Sequence, residues 1–240
     1  MGGWCGIANP FSAEVVARAG FDWVCVDQQH GLVGPDGLPS MLQAIELAGV
    51  PSLVRVPWNE PAAIMRAFDA GATGVVVPLV NSRADAERAV RAGRYPPAGD
   101  RSWGPTRPAQ SVSGYTPALG NERSLMVVQI ETAEAVDALD DILDVDGVDA
   151  VFVGPSDLAL SYGLAPTLTP RLPEHTEAIL QVRDAARRRG VPAGIYCGDP
   201  AMARRWRSEG FVVLAIASDV VLLRAAATDA ATRSREGAAP

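Results

Sequence analysis

Seven side chains stand at positions where they could do chemistry. The apolar run Val24-Cys25-Val26 ends in Asp27 and is followed, after two glutamines, by His30, one of only two histidines in the chain. Arg55 closes a second short run, Gln129 and Glu131 close a third, and Ser156 and Asp157 follow "VFVGP". Two carboxylates, with water and substrate oxygens completing the shell, suit a hard octahedral ion such as Mg²⁺ or Mn²⁺. Glu131 and Asp157 are the natural pair for it. Gln129 lies two residues before Glu131, so on a strand it points to the same face and either supports the metal or touches substrate. Arg55 is suited to clamp a substrate carboxylate through two parallel hydrogen bonds. The backbone N–H groups around Ser156, at a helix start, make a seat for an anion. Asp27, three residues before His30, is expected to hold the imidazole ring and fix its tautomer, giving an oriented base.

Taken singly, each group has a plainer reading: a strand-end or helix-capping acid, a surface arginine before Pro57, a structural histidine. His175, in the helical pattern "LPEHTEAIL", is assigned no chemistry. Together the residues point to a metal-assisted reaction on a small anionic oxygen substrate, with an arginine holding its charge and a His–Asp couple moving the proton. They do not name the substrate.

These groups need a scaffold that brings the ends of several strands together. Eight short apolar, β-branched runs are spread along the chain: Trp4–Ile7, Trp23–Asp27, Ser52–Arg55, Gly74–Pro78, Leu125–Glu131, Ala150–Gly154, Ala193–Tyr196 and Phe211–Ala217. Near-continuous apolar runs are expected of parallel strands covered on both faces. Amphipathic segments lie between them, with Ser12, Ser82, Thr132 and Pro200 as helix-start signals and glycines such as Gly20, Gly71, Gly93, Gly190 and Gly210 as stops. Eight β/α units in 240 residues predict a single-domain α/β fold over residues 1–240, the (β/α)₈ TIM barrel, with a flexible tail over 229–240. An open doubly wound sheet is disfavoured because no GxGxxG follows the first strand. Residues 94–122, rich in Pro, Gly and Ser, are too long for an idle connection and are expected near the catalytic face.

Bulk properties exclude several other functions. A net charge of −7, with scattered arginines, argues against a nucleic-acid surface. Cys5, Cys25 and Cys197 are widely spaced, read as reduced core thiols, and form no zinc-type cluster. The opening residues have no charged region followed by an apolar one, so no secretory signal is expected, and the longest apolar stretch is interrupted by Asp219 and Arg224. A cytoplasmic enzyme is the expectation.

The stretches "FDWVCVDQQHG", "VRVPWNEPAAIMRAFDAGATGVVVPLVNSRADAERAVRAGRYPPAGDRSWGP", "VQIETAEAVDALDDILDVDGVDAVFVGPSDLALSYG" and "AIASDVVLLRAAA" cover most of the chain, in order. In them the sequence resembles the class II, metal-dependent HpcH/HpaI aldolases, which cleave 4-hydroxy-2-oxo acids. The resemblance implies a TIM barrel. It also implies a divalent cofactor (Mg²⁺, Mn²⁺ or Co²⁺) on Glu131 and Asp157, and a pyruvate-type 2-oxo acid whose carboxylate meets the amides of Ser156 and Asp157. Arg55 would touch the keto oxygen, Gln129 would stand beside the metal, and His30 with Asp27 as partner would act on the aldol hydroxyl. It implies a homo-oligomer, a hexamer with exchanged C-terminal helices, to which the apolar stretch after Asp219 could contribute. All 21 basic residues other than histidine are arginine, so no lysine exists to form a Schiff base. Many members carry glutamate at the position of Gln29, and Gly31–Gly37 and "RSWGPTRPAQSVSGY" also depart from the common pattern. Two alternatives stand beside this reading: a citrate-lyase-β-like enzyme using loop arginines Arg94, Arg101 and Arg107 for a CoA thioester, and a non-catalytic barrel scaffold.

Overall fold

The computed structural model describes residues 1–235. Eight parallel strands close into a barrel in sequence order. They are β1 (Gly2–Cys5), β2 (Trp23–Asp27), β3 (Ser52–Arg55), β4 (Gly74–Val77), β5 (Leu125–Ile130), β6 (Ala150–Val153), β7 (Ala193–Tyr196) and β8 (Val213–Ser218). The helices are α1 (Pro10–Ala17), α2 (Leu38–Leu47), α3 (Pro61–Asp69), α4 (Arg83–Gly93), α5 (Pro108–Ser111), α6 (Pro117–Arg123), α7 (Ala133–Asp137), α8 (Leu139–Leu143), α9 (Pro155–Ser161), α10 (Pro173–Arg188), α11 (Pro200–Ser208) and α12 (Asp219–Arg233).

Strand periodicity divides the core in two. One face of each strand packs against the helices in the larger apolar cluster, which includes Val24, Val26, Val54, Val128 and Ile130. The alternate residues Trp4, Cys25, Leu53, Val127 and Phe152 fill the barrel interior. The same two-residue step carries Cys25 on to Asp27, Leu53 to Arg55, and Val127 to Gln129, so the interior stack ends in polar groups at the carboxyl-terminal mouth. Trp4 stacks on Phe152 with ring centroids 5.7 Å apart and meets Tyr196 edge-on at 5.5 Å, forming the apolar floor beneath those groups.

Several boundaries and one placement differ from the sequence reading. β1 leaves the sheet after Cys5 because the buried Asp219 carboxylate accepts from the N–H of Gly6 (2.9 Å) and of Ile7 (3.1 Å). Asn9, not Ser12, caps α1, accepting from the N–H of Phe11 and Ser12. Ser82, Thr132 and Asp199 cap α4, α7 and α11 as their side chains allow. Residues 94–122 do not reach the catalytic mouth. They follow α4, which has already returned the chain to the other end of the barrel. There Arg101 pairs with Asp69 (2.7 Å) at the end of α3 and lies over the Tyr95 ring, 4.4 Å from its centroid. α12 runs on to Arg233 where a flexible tail was expected from 229, and the last five residues of that expectation lie outside the described ones. Among the described residues no helix is long and apolar enough to cross a membrane.

Candidate active site

A cavity of about 560 Å³ opens at the carboxyl ends of the strands, lined among others by Trp4, Asp27, His30, Arg55, Gln129, Gly154, Ser156 and Asp157. Six of the seven residues singled out from sequence therefore share one hollow with their surrounding strand tips. The seventh, Glu131, sits directly behind Gln129 and Gly154.

Asp27 and Arg55 are register partners on β2 and β3, so their side chains emerge side by side. Arg55 donates to both Asp27 oxygens, Nε to Oδ1 at 2.9 Å and Nη2 to Oδ2 at 2.6 Å. The Trp4 indole N–H donates to Oδ2 at 3.1 Å, and the backbone N–H groups of Gln29 and His30 donate to Oδ1 at 3.0 and 3.3 Å. With five donors the carboxylate is saturated. Burial pushes its pKa up, but Arg55 and the Trp4 indole outweigh that and hold it below the ordinary aspartate value. This differs from the expected Asp27–His30 couple: the Asp27 carboxylate accepts from the backbone N–H of His30, not from its ring, and its side-chain partners are Arg55 and Trp4. The His30 ring stands exposed at the cavity edge. Asp27 in turn raises the proton affinity of Arg55 against the opposing effect of burial, so the guanidinium stays charged and fixed over the Trp4 ring, 5.1 Å from its centroid.

Glu131 and Gln129 are each only 1% exposed. Burial, reinforced by the charge of Asp157, raises the Glu131 pKa; hydrogen bonds from the Leu79 N–H and the Gln129 amide only partly oppose this. The Leu79 N–H donates to Glu131 Oε1 at 2.9 Å, and Gln129 Nε2 lies against Oε2. Leu79 makes that bond from a left-handed backbone conformation (φ +54°), which a leucine rarely adopts. Gln129 Oε1 is buried without a partner. Gly154 leaves the space this cluster occupies, since a Cβ there would come within 2.7 Å of Glu131 Oε2 and 2.9 Å of Gln129 Nε2. A buried acid repelled by a second acid, beside an unsatisfied amide oxygen, is an arrangement that a hard cation would relieve. The donor set thus fits a divalent ion. Glu131 and Asp157 would contribute two carboxylates and leave further positions for substrate and water; no group of three or more His, Cys, Asp or Glu ligands exists among the described residues.

Leu79, Trp4, Tyr196 and Asp219 were missed from sequence. Leu79 carries no signal, since its contribution is a backbone N–H. Trp4 could have been found by continuing the inward stripe to β1. The loop arginines offered for a CoA thioester have other partners: Arg94 binds Ser124 O and Asp149, Arg101 binds Asp69, and Arg107 binds Glu46 and Ala70 O. His175 is buried, and burial lowers its pKa so that the ring is held neutral beside the Pro155 carbonyl.

A closed (β/α)₈ barrel with paired carboxylates and a fixed arginine at its carboxyl-terminal mouth defines a barrel enzyme acting on a small oxygen-bearing substrate. The family model described as HpcH/HpaI aldolase/citrate lyase matches residues 1–226, and the chain belongs to that family. It is 42% identical over 228 residues (95% of this chain, 90% of the relative) to a protein of Rhizorhabdus wittichii named hydroxypyruvate/pyruvate aldolase. It is 38% identical over 243 residues (97% and 89%) to a Salmonella typhimurium protein named 4-hydroxy-2-oxo-heptane-1,7-dioate aldolase. The crystal structure of a family member from Burkholderia cenocepacia superposes with a TM-score of 0.87 at 34% identity, covering 98% of this chain and 94% of that one. The chain is accordingly a carbon–carbon lyase of the aldolase type.

Proposed function

We propose that the protein is a divalent-metal-dependent aldolase that reversibly cleaves a 4-hydroxy-2-oxo acid into pyruvate or hydroxypyruvate and an aldehyde. The observation that carries this reading is the buried Glu131 set against Asp157, beside a cavity whose lining includes a single arginine, Arg55, among the described residues. Names of the Rhizorhabdus and Salmonella relatives support the substrate class. Glu131 and Asp157 would hold the ion (Mg²⁺, Mn²⁺ or Co²⁺), with Gln129 beside it. Bound there, it supplies a Lewis acid that draws electron density from the carbonyl of the oxo acid.

The chain's own groups do the rest. Peptide N–H groups of Ser156 and Asp157 receive the substrate carboxylate. Arg55, braced by Asp27, directs its remaining N–H groups at the keto oxygen, where negative charge develops as the C3–C4 bond breaks. His30 takes the proton from the C4 hydroxyl; the O–H electrons become the aldehyde C=O, and the C3–C4 pair becomes the enolate of the 2-oxo acid. Trp4 and Phe152 keep water from the floor beneath it. In the synthetic direction His30 returns the proton to the new alkoxide.

The test is exchange of the pyruvate methyl protons for deuterium. Exchange is expected with Mg²⁺, Mn²⁺ or Co²⁺ added and none in EDTA; exchange that survives EDTA rejects the reading. His30→Ala is expected to retain metal binding and thermal stability, because the ring is exposed, while kcat falls roughly 10²–10⁴-fold. A fully active His30→Ala protein would remove the histidine from proton transfer.

The homo-oligomer belongs to the same proposal. Beyond Asp219, every described position of α12 is exposed, including Val220, Val221, Leu222 and Leu223. Such a helix needs a second copy to cover it. Light scattering is expected to give an assembly for the full chain and a smaller one for Leu222→Asp/Leu223→Asp; a monomeric full chain sinks this part.

A further inference from the structure

Asp219 is a buried carboxylate, 4% exposed, at the first position of α12. Each of its hydrogen-bond partners is uncharged. Oδ1 accepts from the N–H of Gly6 (2.9 Å) and of Val220 (2.8 Å), and Oδ2 from the N–H of Ile7 (3.1 Å) and the Ser12 hydroxyl (3.4 Å). A charge taken out of water is costly unless fixed dipoles fill its lone pairs. Four donors, three of them peptide N–H groups, do that here. β8 and β1 are neighbours in the closed barrel, so the carboxylate ties the β8 tip to the loop that follows β1.

What rests on that loop is the segment carrying His30. The Leu32 N–H donates to Gly6 O at 2.8 Å. Gly31 is pressed between the β2 tip and Gly6: a Cβ there would come within 2.2 Å of Asp27 O and 3.0 Å of Gly6 Cα. On its other side the segment is held by Asp27 Oδ1, which accepts from the N–H groups of Gln29 and His30. His30 therefore stands between two holds, and the one at Gly6 is only as firm as the bonds that Gly6 and Ile7 make to Asp219. An exposed ring has few packing contacts of its own to place it, so these backbone anchors decide where it stands. Resting on the aldolase reading, we infer that Asp219 is a positioning residue for the reaction: it fixes the β1 tip on which Gly31 and Leu32 lie, and through them the place of His30 at the cavity edge. The acids assigned to the ion and the amides assigned to the oxo-acid carboxylate stand at the ends of β5 and β6, strands that border neither β8 nor β1. Loss of Asp219 should therefore disturb proton transfer and spare oxo-acid binding. The hold is made within one chain, so a second copy seated on the exposed part of α12 leaves it in place.

The experiment measures aldol addition of pyruvate to acetaldehyde by the full-length, Mg²⁺-loaded enzyme, already shown to exchange pyruvate protons. Asp219→Ala is expected to lower kcat by about tenfold to a hundredfold, the cost of a small misplacement of a reacting group, while KM for pyruvate and the affinity for Mn²⁺ change by less than about twofold. Asp219→Asn keeps one acceptor oxygen and should lose less; it takes the place of the alanine variant should that one not fold. The deciding readout is a kcat cycle with His30. In a His30→Ala background either Asp219 variant should cost less than about twofold, because no base is left to place. A carboxylate with a merely structural role would cost the same factor with or without the histidine. An undiminished loss in the His30→Ala background, an unchanged kcat in Asp219→Ala, or a rise in KM at constant kcat overturns the inference and leaves the aldolase reading intact. Absence of pyruvate exchange with every ion overturns both.

Discussion

Asp27→Asn should lower the thermal midpoint by roughly 10 °C and abolish activity, even though Asp27 does not touch the proton that moves in the proposed reaction. The pair it forms with Arg55 is buried, with side-chain exposures of 7% and 12%. Removing one partner of a buried ion pair leaves the other charge without compensation, which costs about 3–5 kcal/mol; for a chain of this size that corresponds to about 2–4 °C per kcal/mol. Asn keeps one side-chain oxygen, so either the Trp4 indole N–H on Oδ2 or the two backbone N–H groups on Oδ1 lose their acceptor as well. Because the folded Asp27 pKa is depressed, its stabilisation is present above the pKa it has when unfolded and is lost as pH falls through the folded value. The gap between wild type and variant should therefore persist through neutral pH and close only in acid. Double-mutant cycles separate the two roles the residue could have. Asp27 with Arg55 should couple by about 2 kcal/mol or more, whereas Asp27 with His30 should be additive to about 0.5 kcal/mol. Strong coupling to His30 would restore the catalytic dyad that the geometry removes.

The dyad shows where sequence reasoning loses its grip. Strand positions were legible because parallel strands buried on both faces write themselves as apolar runs, and the period of two then identifies which residues face inward. That logic brought Asp27, Arg55 and Gln129 to one hollow, with Glu131 behind it, and Asp157 joins them from the start of α9 after the β6 tip. Proximity along the chain misled at Asp27 and His30: three residues of separation suggested contact, but a turn directs the backbone of His30, rather than its ring, at the carboxylate. The true partner lay 28 residues away at the same register on the next strand, a pairing the strand assignments already implied. The segment 94–122 failed for a related reason. Its composition said that it was unusual, yet its place after α4, rather than after β4, decides which end of a barrel it occupies. Leu79 and Gly154 were out of reach, because one contributes a peptide N–H and the other an absence of side chain.

Glu131→Gln should leave the metal-free protein at least as stable as wild type at neutral pH, and more stable as pH rises, while eliminating metal-dependent pyruvate exchange. Burial first, and then Asp157, raise the Glu131 pKa. A group raised in the folded state favours folding while protonated, and that contribution fades as pH climbs through the folded value. Above it the wild type carries a buried charge that the amide does not have, while the amide oxygen still accepts the Leu79 N–H. Divalent ion reverses the order. A ligand that binds only the folded chain stabilises it by about 2.7 kcal/mol at a hundred times its Kd, so wild type should gain several degrees on titration with Mn²⁺ and the variant almost none. Proton and cation compete for the same carboxylate, so the ion-dependent gain should also weaken as pH falls. Thermal melts over a pH series, with and without ion, read all of this in one experiment. A Gln variant that is markedly less stable without metal would make Glu131 a structural acid, and a wild type indifferent to divalent ions would leave the repulsion between Glu131 and Asp157 without a purpose.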